Sequence, residues 1–408
     1  MRLTSFLVEN ARWLAAGALL AFLASFGQTY FISIFAGHLR AEFGLSHGQW
    51  GGIYTLGTTA SAITMVWAGG LTDRFRVRVL ASVVLACLML ACLSMALLPS
   101  VIMLPFVIFA LRLTGQGMTG HTAVVAMSRW FVKTRGRALS VASLGAALGE
   151  AFLPLGFVAL MTAGYDWRSL WMLAGAIALS GIPVLVLLLR QERTPQSMAM
   201  SDLSLGMEGR SWTRNQTIRH WLFWFMVPML LGPAAFNTAF FFHQVHLADV
   251  KGWAHVDLVA LFPVYIGLTV TAMLGTGWLL DKVGTARLIP FYQIPMIGAF
   301  LVFSQVSTLS GASLGLVFLA LSTGAHTVLP NAFWAEFYGT RHIGSIKATA
   351  AAVMVFGTAL GPGITGALID LGIGLQTQFI FIAIYFALAS VMTAAGIAKA
   401  RPLLPVAA

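Results

Sequence analysis

The turn GGLTDRFRVR at residues 69–78 occurs a second time, in related form, as GWLLDKVGTAR at residues 277–287. Each copy ends one long apolar segment and opens the next, with a glycine, an aspartate and a basic residue at matching positions. A repeat at this distance indicates that the chain consists of two related halves. Paired halves made of apolar segments predict a duplicated membrane protein.

The composition predicts the same class. With 59% hydrophobic and only 9% charged residues, the 408-residue chain has too little charge to cover a water-soluble globule, whereas a bilayer would hide the apolar surface. Arg12 precedes the first apolar stretch and no small-residue cleavage pattern follows it, so we expect a retained span and not a signal peptide. Twelve stretches are long enough to cross a membrane as helices, at residues 13–37, 47–68, 79–98, 101–128, 138–163, 167–189, 219–246, 255–280, 288–308, 311–335, 345–369 and 374–398.

The lysine and arginine residues predict the orientation. The net charge is +11, yet the outer loops hold only Arg40, Arg168 and Lys251. By the positive-inside rule, both termini are expected in the cytoplasm of a bacterial-type inner (plasma) membrane. This topology explains the basic charge, so no nucleic-acid partner is expected. Cys87 and Cys92 lie in one span with neither disulfide nor metal spacing, and we expect no metal and no cofactor.

A polar, charge-bearing stretch without apolar periodicity separates the halves. We therefore predict an N-terminal six-helix bundle at 1–190, a cytoplasmic linker at 191–218 and a C-terminal six-helix bundle at 219–408. The fold is predicted as an all-α membrane protein with twelve transmembrane helices in two pseudo-symmetric bundles. Two further pairs of stretches support the repeat: TGHT at 119–122 with GAHT at 324–327, and GAALG at 145–149 with GTALG at 357–361.

The paired turns resemble the loop motif of the major facilitator superfamily, and the resemblance covers nearly the whole chain. In that family the motif's acidic and basic residues lock the cytoplasmic ends of the two bundles, which implies gating roles for Asp73, Arg74 and Arg78, with Asp281 and Lys282 in the second copy. An aspartate near a helix N-terminus can hold a neighbouring arginine. The alternative is that these residues only shape a tight turn.

The first copy departs from the motif, because Arg76 stands where the family has glycine. Gly284 keeps the glycine in the second copy.

Two ionisable residues lie deep in the predicted spans. Arg112, shortly before Gln116-Gly117, resembles the family's second motif and is expected to face the bundle interior with a carboxylate, carbonyl or substrate partner. Glu150 is the one acid near the middle of a span, where burial favours the protonated form and suits a proton-coupling role. The alternative is a structural ion pair between Glu150 and Arg112. The residues around Glu150 in span five resemble an antiporter-type glycine motif, but Glu150 stands where that motif has proline. Span eleven keeps the proline, as Pro362.

Two histidines occupy matching places in spans four and ten, and in the family spans one, four, seven and ten line the substrate cavity. His121 lies nine residues after Arg112, so the two point to opposite faces of an unkinked helix. For His121, packing between helices and a ligand role both remain open. His326 is expected to line the cavity, because Ser322 and Pro330 suggest a polar, kinked wall.

Polar residues in spans one and seven complete the predicted substrate site. Asn237, Phe241 and Gln244 fall on one helical stripe, and Gly232-Pro233 before them is expected to break the helix. Gln28 gives span one a corresponding polar patch.

These residues predict a secondary transporter and not an enzyme. One deep acid cannot supply the paired carboxylates of an intramembrane protease, and no nucleotide-binding loop is present. The chain loosely resembles the monocarboxylate and oxalate–formate branch of the family. This resemblance implies transport of a small organic solute of the carboxylate class, by alternating access and as a proton symporter. The alternative is a proton-driven exporter of amphipathic cations or drugs. The expected partners are the substrate, protons and the lipid bilayer, with the protein acting as a monomer.

Overall fold

The computed structural model describes residues 3–131, 134–191 and 205–404. All secondary structure within these ranges is helical. The chain divides into two compact units, the first formed by Met1–Ala199 with Phe241–His246 and the second by Met200–Phe240 with Leu247–Ala408. Much of the predicted linker, residues 192–204, lies outside the described residues. The domain boundaries drawn from the sequence therefore stay predictions.

The first unit contains eleven α-helices and a π-helical segment, Arg112–Thr119, that joins two of them. The helices are α1 (Leu3–Glu9), α2 (Ala11–Leu23), α3 (Thr29–Ile32), α4 (Ala36–Phe43), α5 (His47–Ala68), α6 (Leu71–Arg74), α7 (Val77–Ala96), α8 (Leu104–Leu111), α9 (Gly120–Trp130), α10 (Arg135–Thr162) and α11 (Trp167–Leu188).

The remaining helices lie in the second unit, except for the segment at 241–246. They are α12 (Arg214–Arg219), α13 (Trp221–Phe242), α14 (Gln244–Lys251), α15 (His255–Val259), α16 (Phe262–Val283), α17 (Thr285–Leu288), α18 (Ile294–Gln305), α19 (Leu309–Tyr338), α20 (Ile343–Asp370) and α21 (Leu375–Ala400).

Nine helical segments in the described part of the chain are long and apolar enough to cross a membrane. A tenth is obtained if Ala11–Gly27 and Thr29–Phe43, which meet at a bend of 48°, form one broken span. The protein is thus an all-helical, multi-pass membrane protein. The count of twelve spans stays a prediction.

Predicted spans one and nine are interrupted in the structure. In span one, helix α2 passes into a 3₁₀ turn at Ala24–Gly27, and Gln28 is extended with φ −85° and ψ 152° before α3 begins. Span nine was expected as one helix over 288–308 but consists of α17, a turn and the 12-residue α18. Pro290 and Pro295 explain the break in span nine, because proline lacks the backbone amide donor and disfavours a helical conformation in the residue before it.

The break expected in span seven is wrong. Helix α13 continues through Pro228 and Pro233 to Phe242, and Gln244 opens the separate helix α14. Gly232 instead allows close packing, since a Cβ there would lie 2.6 Å from a ring carbon of Tyr385. Asn237, Phe241 and Gln244 therefore do not share one continuous helix.

In each unit, a pair of glycines allows close contact between two helices: span five with span one in the first unit, and span eleven with span seven in the second. In the first unit, a Cβ at Gly145 would lie 1.9 Å from the Ala18 carbonyl oxygen, and one at Gly149 would lie 2.0 Å from Ser25 Oγ. Such contacts are possible only because small residues let helix backbones approach closely.

In the second unit, a Cβ at Gly357 would lie 3.0 Å from the Leu231 carbonyl oxygen, and one at Gly361 would lie 2.2 Å from the Ala235 carbonyl oxygen. The two glycine pairs that the sequence matched thus make matching helix contacts, each within its own unit.

The two copies of the repeated turn differ in backbone conformation. Arg76 precedes α7 with φ −64°, an ordinary value for any residue, whereas Gly284 precedes α17 with φ 84°. Positive φ favours glycine. The departure of the first copy from the family motif therefore has a local reason, because Arg76 occupies a position that does not need glycine.

Candidate functional site

Arg112 lies at the centre of a buried polar cluster in the first unit. Its side chain is 2% exposed, and Nη1 donates to the Gly27 carbonyl at 3.1 Å and to Thr29 Oγ1 at 3.3 Å. The Thr29 hydroxyl is hydrogen-bonded to the Tyr54 hydroxyl, and the guanidinium lies 5.4 Å from the centroid of the Tyr54 ring. Arg112 thus binds the carbonyl exposed by the break in span one, while its Nε has no hydrogen-bond partner.

Backbones of spans one and four touch beside this cluster. A Cβ at Gly27 would lie 2.2 Å from the Leu111 carbonyl oxygen, and one at Gly115 would lie 2.6 Å from the Gly27 Cα. Gly115 belongs to the π-helical segment that begins at Arg112. Such segments often occur at functional sites.

The π-helical segment removes the condition on which the expected placement of His121 depended. Counting 100° per residue from Arg112 assumed an unbroken α-helix, and the wider turns of Arg112–Thr119 remove that assumption. His121 lies in α9 with its Nε2 3.5 Å from the position of a Cβ at Gly69, the first residue of the repeated turn. His121 is partly buried there.

Glu150 is separate from Arg112. Neither residue forms an ion pair with any other residue in the described ranges, so the expected alternative of an Arg112–Glu150 pair is wrong. Tyr30 lies close enough to interact electrostatically with the Glu150 carboxylate, and its hydroxyl donates to Ser25 Oγ at 2.9 Å. Glu150 is a partly buried acid in the neighbourhood of Tyr30, and no residue in the described ranges forms an ion pair with it.

Gln28 lies at the break in span one. Its backbone carbonyl accepts from the amides of Phe31 and Ile32 at 3.2 and 3.0 Å. The side chain is partly exposed and makes no hydrogen bond to another described residue.

Phe241 and Gln244 belong to the segment that packs within the first unit. Ser33 Oγ donates to the Phe241 carbonyl at 2.7 Å, and Gln244 Nε2 donates to Ser33 Oγ at 2.8 Å and to the Tyr30 carbonyl at 3.2 Å. Gln244 is 0% exposed. The structure thus gives both predicted substrate residues protein partners.

Asn237 belongs to a neutral polar cluster in the second unit. Its Nδ2 donates to Thr323 Oγ1 at 3.2 Å, and the Tyr265 hydroxyl donates to the same oxygen at 3.3 Å. Asn237 Oδ1 is buried without a hydrogen-bond partner. One end of the Asn237 amide is therefore unsatisfied.

His326 takes part in a second network of the same unit. Its Nδ1 shares a hydrogen bond of 2.9 Å with the Tyr292 hydroxyl, and the two rings stack with centroids 5.9 Å apart. Gln293 Nε2 donates to Tyr292 at 3.1 Å and to the Met229 carbonyl at 2.7 Å, and Ser322 Oγ donates to the Tyr292 carbonyl at 3.0 Å. His326 is partly buried and tied to span nine.

The predicted gating residues occupy the expected ends of helices. Arg74 ends α6 and is exposed, and Arg78 is exposed at the start of α7. The side chain of Asp73 lies outside the described part of the structure. Asp281 and Lys282 are exposed at the end of α16, where Lys282 Nζ lies 3.8 Å from the centroid of the Trp278 ring.

Sequence reasoning missed the hydroxyl and amide residues that complete these clusters. They are Tyr30, Tyr54, Tyr265, Thr323, Tyr292 and Gln293. A polar group inside an apolar span requires a partner, and this signal was available for each of them. No group of three or more potential metal ligands was found within residues 3–131, 134–191 and 205–404.

The known proteins to which the chain is similar are transporters. The chain is 28% identical over 149 residues to the protein named Probable sulfoacetate transporter SauU from Cupriavidus necator, and this match spans 36% of the chain and 34% of that relative. The chain thus aligns with only about a third of the curated relative's length.

Two solved structures share the fold. A bacterial homologue of the human lysosomal transporter Spinster, in an inward-facing and occupied conformation, superposes with a TM-score of 0.75 at 15% identity, covering 97% of this chain and 98% of that one. A mutant of the nucleoside transporter NupG gives a TM-score of 0.72 at 13% identity, covering 94% and 99%.

The family model described as Major Facilitator Superfamily matches residues 17–348. This range includes both copies of the repeated turn, the break at Gln28 in the first span and the clusters around Arg112 and His326. The chain therefore belongs to the major facilitator superfamily, as a transporter and not an enzyme.

Proposed function

We propose that the protein is a proton-coupled secondary transporter of a small organic anion, of the carboxylate or sulfonate class, that works by alternating access. In this proposal twelve spans form two pseudo-symmetric six-helix bundles in a bacterial-type inner membrane, with both termini in the cytoplasm. Asp73, Arg74 and Arg78, with Asp281 and Lys282, act at the gate.

The observation that carries the proposal is the buried, unpaired charge of Arg112. A buried cation without a counter-charge is costly, because its hydrogen bonds to a carbonyl and a hydroxyl do not neutralise it. An anionic solute near the break in span one would lower this cost. The named activity of the Cupriavidus necator relative, sulfoacetate transport, supports the same class of solute.

Proton coupling is supported by Glu150. An acid without a cation partner inside a span favours its neutral form while it is desolvated, and releases the proton when water reaches it. The neighbouring hydroxyls of Tyr30 and Ser25 can exchange hydrogen bonds with either form. Because Arg112 and Glu150 are not paired, one can respond to the solute and the other to the proton.

Neutral polar groups are proposed to bind the rest of the solute. Gln28 has a side-chain amide without a protein partner, and one end of the Asn237 amide is unsatisfied. His121 and His326 are the further polar residues of spans four and ten. Phe241 and Gln244 require rearrangement of their present hydrogen bonds before either could contact a solute.

Reconstituted vesicles test proton coupling. We expect Glu150→Gln to lose uptake driven by an imposed pH gradient while retaining counterflow at equal pH, because exchange requires no net proton movement. Asp257→Asn, which changes an exposed acid at the start of α15, is the matched control and should retain both activities. Gradient-driven uptake at the wild-type level in Glu150→Gln would exclude Glu150 as the proton carrier.

A thermal-shift screen tests the solute class. Sulfoacetate and small carboxylates should raise the melting temperature of the purified protein, and Arg112→Gln should abolish the shift. Glu150 without a cation partner also supports the alternative, a proton-driven exporter of amphipathic cations. In that case lipophilic cations would stabilise the protein, and the shift would depend on Glu150 and not on Arg112.

A further inference from the structure

A groove of about 400 Å³ opens between helices α16 and α19 and the interrupted span nine of the second unit. Its walls include Ala272 and Leu279 from α16, Phe291 and Pro295 from span nine, and Ala325 from α19. The volume falls within the range of about 300–1,000 Å³ that is typical of small-molecule sites. The groove therefore has room for a ligand of its own.

Small residues and a helix break create this space. A Cβ at Gly275 would meet no atom within 4 Å, so the groove is open beside α16. On the opposite side, the chain between α17 and α18 leaves the helical path at Pro290. Without the break, a continuous span nine would be expected to pack against α16 and close the gap.

The lining suits hydrocarbon. Phe291 is 62% exposed and Leu321 is 44% exposed at the groove, and α16 and α19 both belong to candidate membrane spans. Tyr292 contributes its ring, while its hydroxyl is engaged by His326 and Gln293. A charged solute would find no counter-charge along these walls. An acyl chain, by contrast, needs only apolar contact.

Two basic residues stand close in the sequence to residues that line the groove. Arg287 is exposed and adjacent to the groove residue Leu288, and among the described residues it has no ion-pair partner. Lys282 lies one turn beyond Leu279 on α16 and about 60° around the helix from it, whereas Asp281 lies about 200° around. Lys282 is thus closer in angle than Asp281 to the groove residue Leu279, and its Nζ lies 3.8 Å from the centroid of the Trp278 ring.

We propose that this groove binds an anionic phospholipid, with an acyl chain between α16, α18 and α19 and the headgroup held by Arg287 and Lys282. Basic residues at the ends of spans attract anionic headgroups with a contribution of about 1 kcal/mol each. The groove gives one lipid molecule a defined binding place, which distinguishes it from the lipid that surrounds the rest of the protein. This binding site is independent of the transported solute.

Native mass spectrometry of the purified protein tests the site, with dioleoylphosphatidylglycerol and dioleoylphosphatidylcholine as probes. Gly275→Phe should fill the groove and remove retention of both lipids. Gly267→Phe is the matched control, because a Cβ there also meets no atom within 4 Å and Gly267 does not line the groove. Retention by Gly275→Phe at the level of Gly267→Phe would overturn the proposal.

The headgroup is tested separately. Arg287→Ala should weaken phosphatidylglycerol binding about fivefold and leave phosphatidylcholine binding unchanged. Arg401→Ala removes another exposed charge, after α21, and should change neither lipid. Equal phosphatidylglycerol affinity in the Arg287 and Arg401 variants would refute the headgroup assignment. Melting temperatures measured in neutral detergent report whether each variant is folded.

Discussion

The contact between Gly27 and Gly115 predicts a large effect from a single methyl group. In Gly115→Ala the new Cβ would lie 2.6 Å from Gly27 Cα and Gly27 N, whereas ordinary van der Waals contact begins at 3.4 Å. Spans one and four would have to separate locally by 0.8 Å, the difference between these two distances, to restore ordinary contact. Both clashing atoms are backbone atoms, so no side chain can rotate to relieve the overlap.

Overpacking of this kind typically costs about 1–3 kcal/mol, and we expect Gly115→Ala at the upper end. With a shift of about 2–4 °C per kcal/mol for units of this size, the melting temperature should fall by about 6–12 °C. The separation would also lengthen the hydrogen bond from Arg112 to Gly27, which is 3.1 Å in the native structure. Thermal unfolding of the detergent-purified protein measures the change.

Gly120→Ala is the matched control on the same span. Its Cβ would lie 3.8 Å from the Ala24 Cβ, an ordinary contact, and alanine gains up to about 1 kcal/mol of helix propensity over glycine. The melting temperature of this variant should equal or exceed that of the wild type. If Gly115→Ala and Gly120→Ala melted at the same temperature, the close backbone contact of spans one and four would be refuted.

Four further substitutions test other features of the structure, each by thermal unfolding. Gly361→Ala should cost about 1–3 kcal/mol, because its Cβ would lie 2.2 Å from a carbonyl oxygen of span seven; a neutral result would contradict that packing. Gly284→Ala should cost about 1–2 kcal/mol because φ is 84°, whereas alanine at Arg76, where φ is −64°, should cost less than about 1 kcal/mol; equal costs would remove the conformational explanation of the motif. Tyr292→Phe should cost about 1–3 kcal/mol, since the hydrogen bond to His326 is lost; unchanged stability would show that this bond is dispensable.

Much of the architecture could be predicted because it depends on regular patterns. Apolar length identified the helices. The glycine pairs at 145–149 and 357–361, which the sequence matched only as a repeat, make close helix contacts in the structure. The interruptions were harder to predict. Gln28 is extended because Gly27 is pressed against span four, a tertiary contact with no local sequence signal.

The candidate site was predictable by residue type but not by partner. An arginine inside a span requires a polar partner, and the sequence offered a carbonyl, a carboxylate or a solute as possibilities. The carbonyl of Gly27 became available only because the helix breaks there. Similarly, the equivalence of His121 and His326 gave no indication that one lies beside Gly69 and the other bonds Tyr292.

The glycine pairs also have a consequence for measurement. Because Gly145 and Gly149 seat α10 directly on atoms of span one, these helices cannot slide or rotate against each other without steric overlap. Gly357 and Gly361 fix α20 on α13 in the same way. If the protein works by alternating access, as proposed, the separation within each helix pair should therefore stay constant throughout the cycle. Two spectroscopic labels, one on each helix of such a pair, should report a constant distance. That distance would serve as an internal reference when larger changes in distance are measured elsewhere in the protein.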